Sequence, residues 1–382
     1  MNQLFPGVVA LGTALSIAYG ALSIWSATRF SLRRTLPSPE AKQFPPVSIL
    51  KPLKGADPEM YECLRSHCQL NYEQYEVLFG INDPNDPAVA VVERLSREFP
   101  SHDIRLLHCE KALGANGKVS ALAQMAKLAK HEFLLVNDSD IRVQPEYLRT
   151  VITELQRPNI GLVTCLYRGV RARTLPSRLE SLGLSTDFAA GVLVARQLEG
   201  GLRFGLGSTL ALRKGDLEAI GGFESIVDYL ADDYELGRRI AERNLKVELS
   251  ESIVETFLPA YDFPGFFAHQ LRWARTIRAS RPAGYAGLLL TFTLPWAALT
   301  VLVARGATWS WEIFAAALVA RIAMAIVTGR LVLHDKEVVR SLWCLPLRDF
   351  VGFGVWLAGL AGNTVLWRGE LFKLRNGKLS KL

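Results

Sequence analysis

The chain has 382 residues, of which 49% are hydrophobic and 21% are charged, and its formal net charge is +7. The basic balance is compatible with nucleic-acid binding, but no basic and aromatic motif accompanies it and much of the excess flanks apolar segments, so we expect no nucleic-acid partner. Five scattered cysteines without the paired spacing of a metal site favour a reduced, cytosolic setting for the middle of the chain.

The N-terminal segment is almost free of charge from residue 4 to residue 27. That length is sufficient for a helix that spans a bilayer. The three residues before it carry no Lys or Arg, which argues against a cleaved signal peptide. Arg29, Arg33, Arg34 and Lys42 follow it, and this positive charge predicts that the next residues are cytoplasmic. We therefore expect a transmembrane helix at 1–28 and a proline-rich linker at 29–46.

Short apolar strands then alternate with helices. Strands are predicted at 47–50, 75–81, 104–108, 133–136 and 161–167. Helices are predicted at 57–69, with Asp57 as its cap, and at 88–98, 119–128 and 145–155. Further on, the sequence favours helix over 171–201 and a glycine-containing strand at 205–212. The alternation predicts an α/β fold, a mostly parallel sheet with helices on both faces.

Carboxylates follow two of the predicted strands. Asp83 lies in the loop after the second strand, and Asp138 and Asp140 come directly after the strand at 133–136. Ligands of open α/β sheets bind beyond the carboxyl ends of the strands. Two acids in such a turn would hold a hard divalent cation, which in turn would hold a diphosphate. A helix cap and a solvated turn acid explain the same spacing equally well.

Two further motifs stand at helix starts. The glycine-containing loop of residues 114–118 ends in Lys118 and opens a helix, an arrangement suited to phosphate although it is not a Walker sequence. A plain turn into a helix is an equally good interpretation. Asp232 and Asp233 open another predicted helix, where capping acids are common. Taken singly, neither motif identifies a function.

The C-terminal third is dominated by apolar segments. An amphipathic basic helix near 265–281 is typical of a membrane surface. Apolar segments follow at 285–304, 309–328 and 350–367. The third is short and contains four glycines, so we expect a re-entrant or interfacial segment with a basic cytoplasmic tail from 368 to 381. We expect Arg321, inside the second segment, to face the bundle interior or a lipid headgroup. Residues 284–382 are therefore predicted to form a C-terminal membrane region.

Taken together, the motifs resemble one family. Asp83, the Asp138-Ser139-Asp140 turn, the acidic pair at 232–233 and the Arg-Trp pair at 272–273 follow the order of the "D, D, D, (Q/R)xxRW" signature. This signature belongs to processive and lipid-directed GT-A glycosyltransferases. The sequence most resembles the ceramide glucosyltransferase family and its bacterial hopanoid-biosynthesis relatives. The stretches that carry the resemblance are VSILKPLKGADPEMYECLRS, NDPNDPAVAVVERL, GANGKVSALA, DSDIRV, GLVTCLYRG, LADDYELGRRI and HQLRWARTIR.

The resemblance implies a donor site in a GT-A domain at 47–283. Asp138 and Asp140 would place Mg²⁺ or Mn²⁺ on the diphosphate of a UDP-sugar. Asp83 would accept hydrogen bonds from the uridine, and Lys118 would pair with the diphosphate as a point charge. The donor would be UDP-glucose or UDP-N-acetylglucosamine, between which the sequence does not decide.

It also implies an acceptor site and a chemical mechanism. Asp233 would act as the general base that takes the proton of a lipid hydroxyl, and one direct displacement would invert the anomeric configuration. Asp232 would orient the loop or raise the proton affinity of that base. Arg272 would stabilise the departing diphosphate and Trp273 would pack against acceptor or sugar. His269 departs from the signature, since it stands where Gln or Arg is usual; a protonated histidine would supply the missing charge.

The leading hypothesis is a multi-pass membrane enzyme with its catalytic domain in the cytoplasm, at the inner membrane of a bacterium. It would glycosylate a lipid such as ceramide, a hopanoid polyol or diacylglycerol. A processive polysaccharide synthase is a second hypothesis, disfavoured because extrusion needs a channel of several helices. A non-catalytic lipid-binding protein with a degenerate nucleotide fold is a third, disfavoured because no acid of the set is missing.

Overall fold

The computed structural model describes residues 4–34 and 44–382. They form two compact units. The sheet unit comprises residues 44–170, 199–259 and 377–382, and the helical unit comprises residues 4–34, 171–198 and 260–376. Residues 1–3 of the predicted transmembrane segment and residues 35–43 of the predicted linker lie outside the described part of the chain.

The described residues contain both strands and helices. The strands are β1 (Val47–Pro52), β2 (Tyr75–Ile81), β3 (Asp103–His108), β4 (Phe133–Val136), β5 (Ile141–Arg142), β6 (Ile160–Val170), β7 (Leu210–Arg213), β8 (Lys246–Phe257), β9 (Thr364–Trp367), β10 (Glu370–Arg375) and β11 (Lys378–Lys381). The helices are α1 (Leu4–Arg34), α2 (Met60–Cys68), α3 (Ala88–Glu98), α4 (Gly117–Leu128), α5 (Tyr147–Leu155), α6 (Leu175–Gly183), α7 (Ala189–Leu198), α8 (Lys214–Ala219), α9 (Asp232–Glu242), α10 (Phe263–Ser280), α11 (Pro282–Gly287), α12 (Thr293–Val303), α13 (Thr308–Ala325), α14 (Glu337–Arg340) and α15 (Leu345–Gly359). Two π-helical turns, Leu184–Phe188 and Ile326–Val332, interrupt the helices.

An eight-stranded mixed sheet forms the centre of the sheet unit, in the order β3-β2-β1-β4-β7-β6-β8-β5. Strands β1 to β4 run parallel, whereas β7 is antiparallel to both of its neighbours. All six residues of β1 are buried, as expected for a parallel strand covered on both faces. Since parallel strands end at one edge, the loops after β1, β2 and β4 meet there.

A hydrophobic core fixes this sheet against helices α2, α3 and α5. Val47 and Ile49 of β1 and Val77 and Phe79 of β2 point to the same face and join it. On α3, residues 88, 92 and 95 are buried, a spacing that lines one side of a helix. The sheet edge that carries the polar loops is thereby held by packed apolar side chains.

In the helical unit, two helices are long and apolar enough to cross a membrane, at Pro6–Leu32 and Thr308–Val332. A third candidate is the pair Pro282–Thr291 and Thr293–Val303, which is bent by 58°. Pro295 explains the break. In a continuous helix its ring would collide with the carbonyl of the residue four positions earlier, Thr291. The protein is accordingly a membrane protein with two or, counting the bent pair, up to three candidate spans among the described residues.

Several predicted elements differ from the observed ones. The predicted helix at 57–69 begins only at Met60, because Asp57 accepts a hydrogen bond from Ser139 and Glu59 adopts a positive φ of 51°. Of the predicted strand at 205–212, only Leu210 onward is strand, since Gly205 and Gly207 lie in a loop. Strand β8 was not predicted.

The C-terminal part also differs from the prediction. The apolar segment at 350–367 is helical only to Gly359 and ends in β9. The basic tail forms strands: β9 and β10 pair through the two-residue turn Arg368-Gly369, in which both φ angles are positive. Residues 171–198 and helix α10 cluster with the helical unit and not with the sheet. The sequence of residues 171–198 and of α10 has mixed polarity, so it did not predict that these segments pack with the membrane helices.

Candidate active site

At the carboxyl edge of the sheet, one lysine joins two of the predicted acids. Lys118 Nζ lies 2.7 Å from Asp138 Oδ1 and 3.0 Å from Asp232 Oδ2. Asp138 follows the end of β4 after one residue, Lys118 is the second residue of α4, and Asp232 opens α9. Three motifs that are far apart in the sequence therefore meet in one ionic cluster.

The loop before Lys118 is held by the segment that leads to Asp232. Ala115 N donates to Asp228 Oδ1 at 3.0 Å, and Asn116 N donates to Val227 O at 2.7 Å. The Asn116 side chain caps α4 by accepting from Val119 N. The expected phosphate contact of these two loop amides is therefore not available, because protein acceptors already occupy them. A diphosphate contact from this loop would come from the lysine.

A glycine loop brings Asp233 next to this cluster. Gly207 N donates to Asp233 Oδ2 at 2.8 Å, and Tyr234 N donates to Asp233 Oδ1 at 2.8 Å. A Cβ on Gly207 would lie 2.9 Å from Asp138 Oδ2 and 3.4 Å from Asp233 Oδ2. Only glycine allows the backbone to approach both carboxylates. The sequence predicted that the backbone comes close to other groups at these glycines. Gly207 does so, but it lies in a loop and not in the predicted strand.

Asp140 and Lys51, a lysine that was not predicted as a site residue, make hydrogen bonds that hold the turn after β4. Asp140 Oδ2 accepts from Thr256 Oγ1 at 2.7 Å. Lys51, at the end of β1, is fully buried and donates from Nζ to Asp138 O at 2.6 Å. Burial lowers the pKa of Lys51 to about 8. The available signal was a charged residue inside an otherwise apolar strand.

The site carries more negative than positive charge. Four carboxylates, those of residues 138, 140, 232 and 233, interact with the two ammonium groups of Lys118 and Lys51. Burial and the neighbouring Asp138 raise the pKa of Asp140 to about 6. Burial and Asp232 raise the pKa of Asp233 to about 6. Burial opposes the charge of Lys118, but its two ion pairs raise its pKa above the ordinary range. Ionised carboxylates in this site are therefore short of positive partners.

Oxygen ligands in this turn suit a hard divalent cation. No cluster of three or more possible metal ligands occurs in residues 4–34 and 44–382. Mg²⁺, however, is commonly held by one or two carboxylates together with substrate phosphates and water. Asp138 and Asp140 supply such a pair, and burial together with the neighbouring Asp138 raises the pKa of Asp140, so a bound cation would stabilise its ionised form. The carboxylates of Asp138 and Asp140 therefore fit a Mg²⁺ or Mn²⁺ ion.

Asp83 lies on the same edge but outside this ionic cluster. It is exposed after β2, and its Oδ1 accepts from Asn85 N at 2.9 Å. The neighbouring Asn82 donates from Nδ2 to Gly117 O at 3.3 Å, which ties the Asp83 loop to the start of α4. The structure therefore puts Asp83 beside the loop that carries Lys118, with its carboxylate open to solvent.

The other predicted residues lie on α10, in the helical unit. His269 Nδ1 is 2.9 Å from Glu180 Oε1, within ion-pair range but outside hydrogen-bond geometry. The His269 ring stacks on Tyr261 at 5.5 Å and contacts Trp273 at 5.4 Å. Arg272 is half-buried on the same helix. The buried carboxylate of Glu180 thus faces the residue that departs from the signature.

Comparison with known proteins identifies the family of this chain. The sequence profile of the family described as Glycosyl transferase family 21 matches residues 8–380. This chain belongs to glycosyl transferase family 21. As a family 21 member it is a glycosyltransferase, and the predicted resemblance is confirmed.

Relatives of this family 21 enzyme include ceramide glucosyltransferase 3 of Caenorhabditis elegans, 24% identical over 353 residues, which are 88% of this chain and 74% of the relative. The ceramide glucosyltransferase of Komagataella phaffii is 36% identical over 143 residues, 36% of this chain and 27% of the relative. The mannosyltransferase PcManGT from Pyrobaculum calidifontis, solved with GDP-Man and Mn2+, superposes with a TM-score of 0.50 at 19% identity, covering 91% of this chain and 99% of that one. The predicted GT-A fold is confirmed.

Proposed function

We propose that this family 21 enzyme transfers a hexose from a UDP-sugar to a hydroxyl of a membrane lipid, with inversion at the anomeric carbon. The observation that carries the proposal is the carboxylate cluster around Lys118 and Gly207, at the sheet edge where α/β proteins bind nucleotides. The donor is UDP-glucose or UDP-N-acetylglucosamine. The acceptor is ceramide or a hopanoid polyol, and the names of the relatives favour ceramide.

Donor binding is assigned to the acids after β2 and β4. Asp83, exposed at the sheet edge, accepts hydrogen bonds from the uridine. Asp138 and Asp140 would hold Mg²⁺ or Mn²⁺, which when bound would neutralise charge on the leaving diphosphate. Lys118 exchanges part of its pairing with Asp138 for the diphosphate, and Arg272 stabilises the departing group from α10. The excess of carboxylates over ammonium groups would favour binding of a cation together with its diphosphate.

The chemical step is assigned to Asp233. The lipid hydroxyl oxygen forms a bond to the anomeric carbon while the bond from that carbon to the β-phosphate oxygen breaks. The electron pair leaves with UDP, and the hydroxyl proton passes to an Asp233 oxygen. Two amides fix this carboxylate, and burial together with Asp232 raises its pKa to about 6, near the value that suits a general base. Trp273 packs against the acceptor or the sugar.

The membrane arrangement follows from the same proposal. UDP-sugars are cytoplasmic, so the sheet unit lies on the cytoplasmic side. Residues 377–382 cluster with the sheet unit: Leu379 N donates to Asp228 O at 2.7 Å, and Leu230 N donates to Gly377 O at 3.0 Å. The C-terminal end is therefore cytoplasmic as well. Labelling of a cysteine placed at Lys378 by an impermeant thiol reagent in intact cells would contradict this topology.

The competing hypotheses explain less. Extrusion of a polysaccharide requires a channel of several helices, and the described residues provide only two or three candidate spans. A non-catalytic lipid-binding protein is inconsistent with family membership. The complete set of acids agrees with an active enzyme.

The test uses the full-length protein purified in detergent. UDP-glucose or UDP-N-acetylglucosamine is mixed with short-chain ceramide, bacteriohopanetetrol or diacylglycerol in the presence of Mg²⁺ or Mn²⁺. We expect mass spectrometry to detect one glycolipid, and NMR to find the configuration inverted to β. Asp233→Asn serves as the control of strongly reduced activity. Release of sugar without any glycolipid, or a product with the α configuration, would overturn the proposal.

A further inference from the structure

A second charged cluster lies in the helical unit, away from the predicted signature residues in sequence. Arg321, in the candidate span Thr308–Val332, is 1% exposed and pairs with Asp349 through Nε at 2.9 and 3.1 Å. Its Nη2 lies 2.5 Å from Asp187 Oδ1. Arg348 Nε lies 3.3 Å from Asp187 Oδ2. This burial agrees with the prediction that Arg321 faces the interior. The cluster contains two arginines, Arg321 and Arg348, and two carboxylates, Asp187 and Asp349, so their charges balance.

Asp187 differs from the other members because it is accessible. Its side chain is 34% exposed, whereas that of Asp349 is 4% exposed. It lies on the π-helical turn Leu184–Phe188 between α6 and α7. Such turns interrupt the regular helix and frequently mark functional sites. An ionisable residue in a membrane region lowers the stability of the folded protein. Such a residue is therefore often functional, and Asp187 is the member of this cluster that reaches the surface.

The Asp187 carboxylate retains capacity for further hydrogen bonds. Oδ1 accepts from Arg321 Nη2 and from Thr186 Oγ1, the latter at 3.2 Å. Oδ2 lies 3.3 Å from Arg348 Nε, and that nitrogen makes no hydrogen bond. A carboxylate oxygen has two lone pairs. Oδ2 can therefore accept from donors of a bound molecule while the arginines hold the group ionised.

An aromatic contact links this turn to the signature helix α10. The residue after Asp187, Phe188, lies 6.1 Å from the ring of Trp273. Trp273 in turn contacts His269, which faces Glu180 of α6. An accessible carboxylate and a half-buried aromatic pair thus stand side by side within one unit. Their chemistry matches a molecule with polar donors joined to an apolar chain.

We infer that Asp187 is the acceptor-recognition residue, and that it binds a lipid whose headgroup offers at least two hydrogen-bond donors close together. An amide N–H and hydroxyl groups, as in ceramide, or neighbouring hydroxyls, as in a hopanoid polyol, satisfy Oδ2. Diacylglycerol, with a single hydroxyl, does not. The aromatic pair, Phe188 and Trp273, packs along the apolar part. This inference rests on the proposed function, whose lipid acceptor it specifies.

The experiment measures binding of two fluorescent lipids to the full-length protein in detergent, NBD-labelled short-chain ceramide and NBD-labelled diacylglycerol. The wild type is expected to prefer ceramide by about tenfold or more, as for hydrogen bonds to a charged group. Asp187→Asn is expected to reduce that preference to about twofold while the affinity for UDP stays unchanged. Asp349→Asn, which removes the buried partner of Arg321, is the matched control and should lower thermal stability but keep the lipid preference.

Each result decides the inference. A wild type that binds both lipids equally or neither would overturn it, and this measurement needs no variant. Equal loss of preference in Asp187→Asn and Asp349→Asn would also overturn it, because both changes would then act through the fold. Glycolipid formation that survives such a result would leave the proposed function intact. Absence of UDP binding in the wild type would instead contradict the proposed function.

Discussion

The two charged clusters of this protein are built on opposite principles. In the sheet unit, carboxylates outnumber ammonium groups around Lys118, and burial raises the pKa of both Asp140 and Asp233 to about 6. In the helical unit, Arg321 and Arg348 are matched by Asp187 and Asp349. The first cluster has fewer positive than negative groups, whereas the second is neutral without any ligand.

This difference indicates what each cluster is arranged to bind. Carboxylates that are held close together without enough counter-charge are costly to the fold, and such strain is typical of catalytic sites. It is relieved when a cation and its phosphate ligand enter. The neutral cluster around Arg321 needs no cation, so a molecule that binds to it adds only hydrogen bonds. We therefore expect changes in the first cluster to affect chemistry strongly, and changes in the second to affect selectivity.

The largest effect should come from the acids after β4. Asp138→Asn or Asp140→Asn should lower transfer by about 10³-fold or more, because each removes one of the two charges available to the cation. Amounts of folded, membrane-inserted protein should remain normal. Glycolipid formation would be measured with Asp103→Asn as the control, since Asp103 is an exposed acid on β3 paired with Lys130. Full activity of either variant in the presence of chelator would refute the assignment.

The next effect concerns the base. Asp233→Asn should leave UDP-sugar affinity nearly intact and lower turnover by about 10²-fold or more. Since the base must be ionised and its pKa is raised to about 6, wild-type turnover should fall as the pH drops below about 6. The variant should lose the part of this acidic limb that comes from Asp233, whereas the part that comes from Asp140 should remain. If the variant instead bound UDP-sugar weakly at unchanged turnover, Asp233 would be a donor ligand.

A smaller effect is expected at the glycine that separates the two carboxylates. Gly207→Ala would bring a methyl group within 2.9 Å of Asp138 Oδ2. We expect turnover to fall by about tenfold, since a shift of about 1 Å in a catalytic group costs up to 10²-fold. Gly20→Ala, where an added Cβ meets no atom within 4 Å, is the control. Identical turnover of Gly207→Ala and the wild type would show that the close approach is unnecessary.

The smallest effect concerns stability and not chemistry. Glu154 of α5 is buried, its Oε1 accepts from Glu251 N, and burial raises its pKa from 4.5 to about 7. The folded state therefore binds more protons than the unfolded state in this range, and stability falls as the pH rises from 4.5 through 7. Glu154→Gln should raise the melting temperature by a few degrees at pH 8 and have little effect at pH 5. Glu93→Gln, at an exposed position on α3, should change neither value.

Much of the sheet unit could be predicted, because its strands and helices carry clear periodic patterns. Helix α3 has the predicted bounds, and the acids at 138, 140, 232 and 233 meet as the family signature implied. Strand β8 was missed since its acids obscure the apolar pattern. One of them, Glu255, is neutralised by Arg142 and Arg168, and no sequence pattern reports such distant ion pairs.

The partners of buried charges were the least predictable part. Lys51 lies within a strand, and its role depends on a backbone oxygen 87 residues away. The interior position of Arg321 could be predicted from its place in an apolar segment, but not its partners at 187 and 349. Residue 187 belongs to a helical stretch of mixed polarity, which gives no indication of a π-helical turn. Contacts of this kind depend on tertiary packing alone.

The most direct test of the central claim is calorimetric titration of UDP into the purified protein, with Mn²⁺ and with chelator. If Asp138 and Asp140 hold a cation on the diphosphate, chelation should weaken UDP binding to the wild type by about tenfold or more. In Asp138→Asn, UDP binding should be equally weak with and without Mn²⁺. UDP affinity of the wild type that is the same with Mn²⁺ and with chelator would contradict the account.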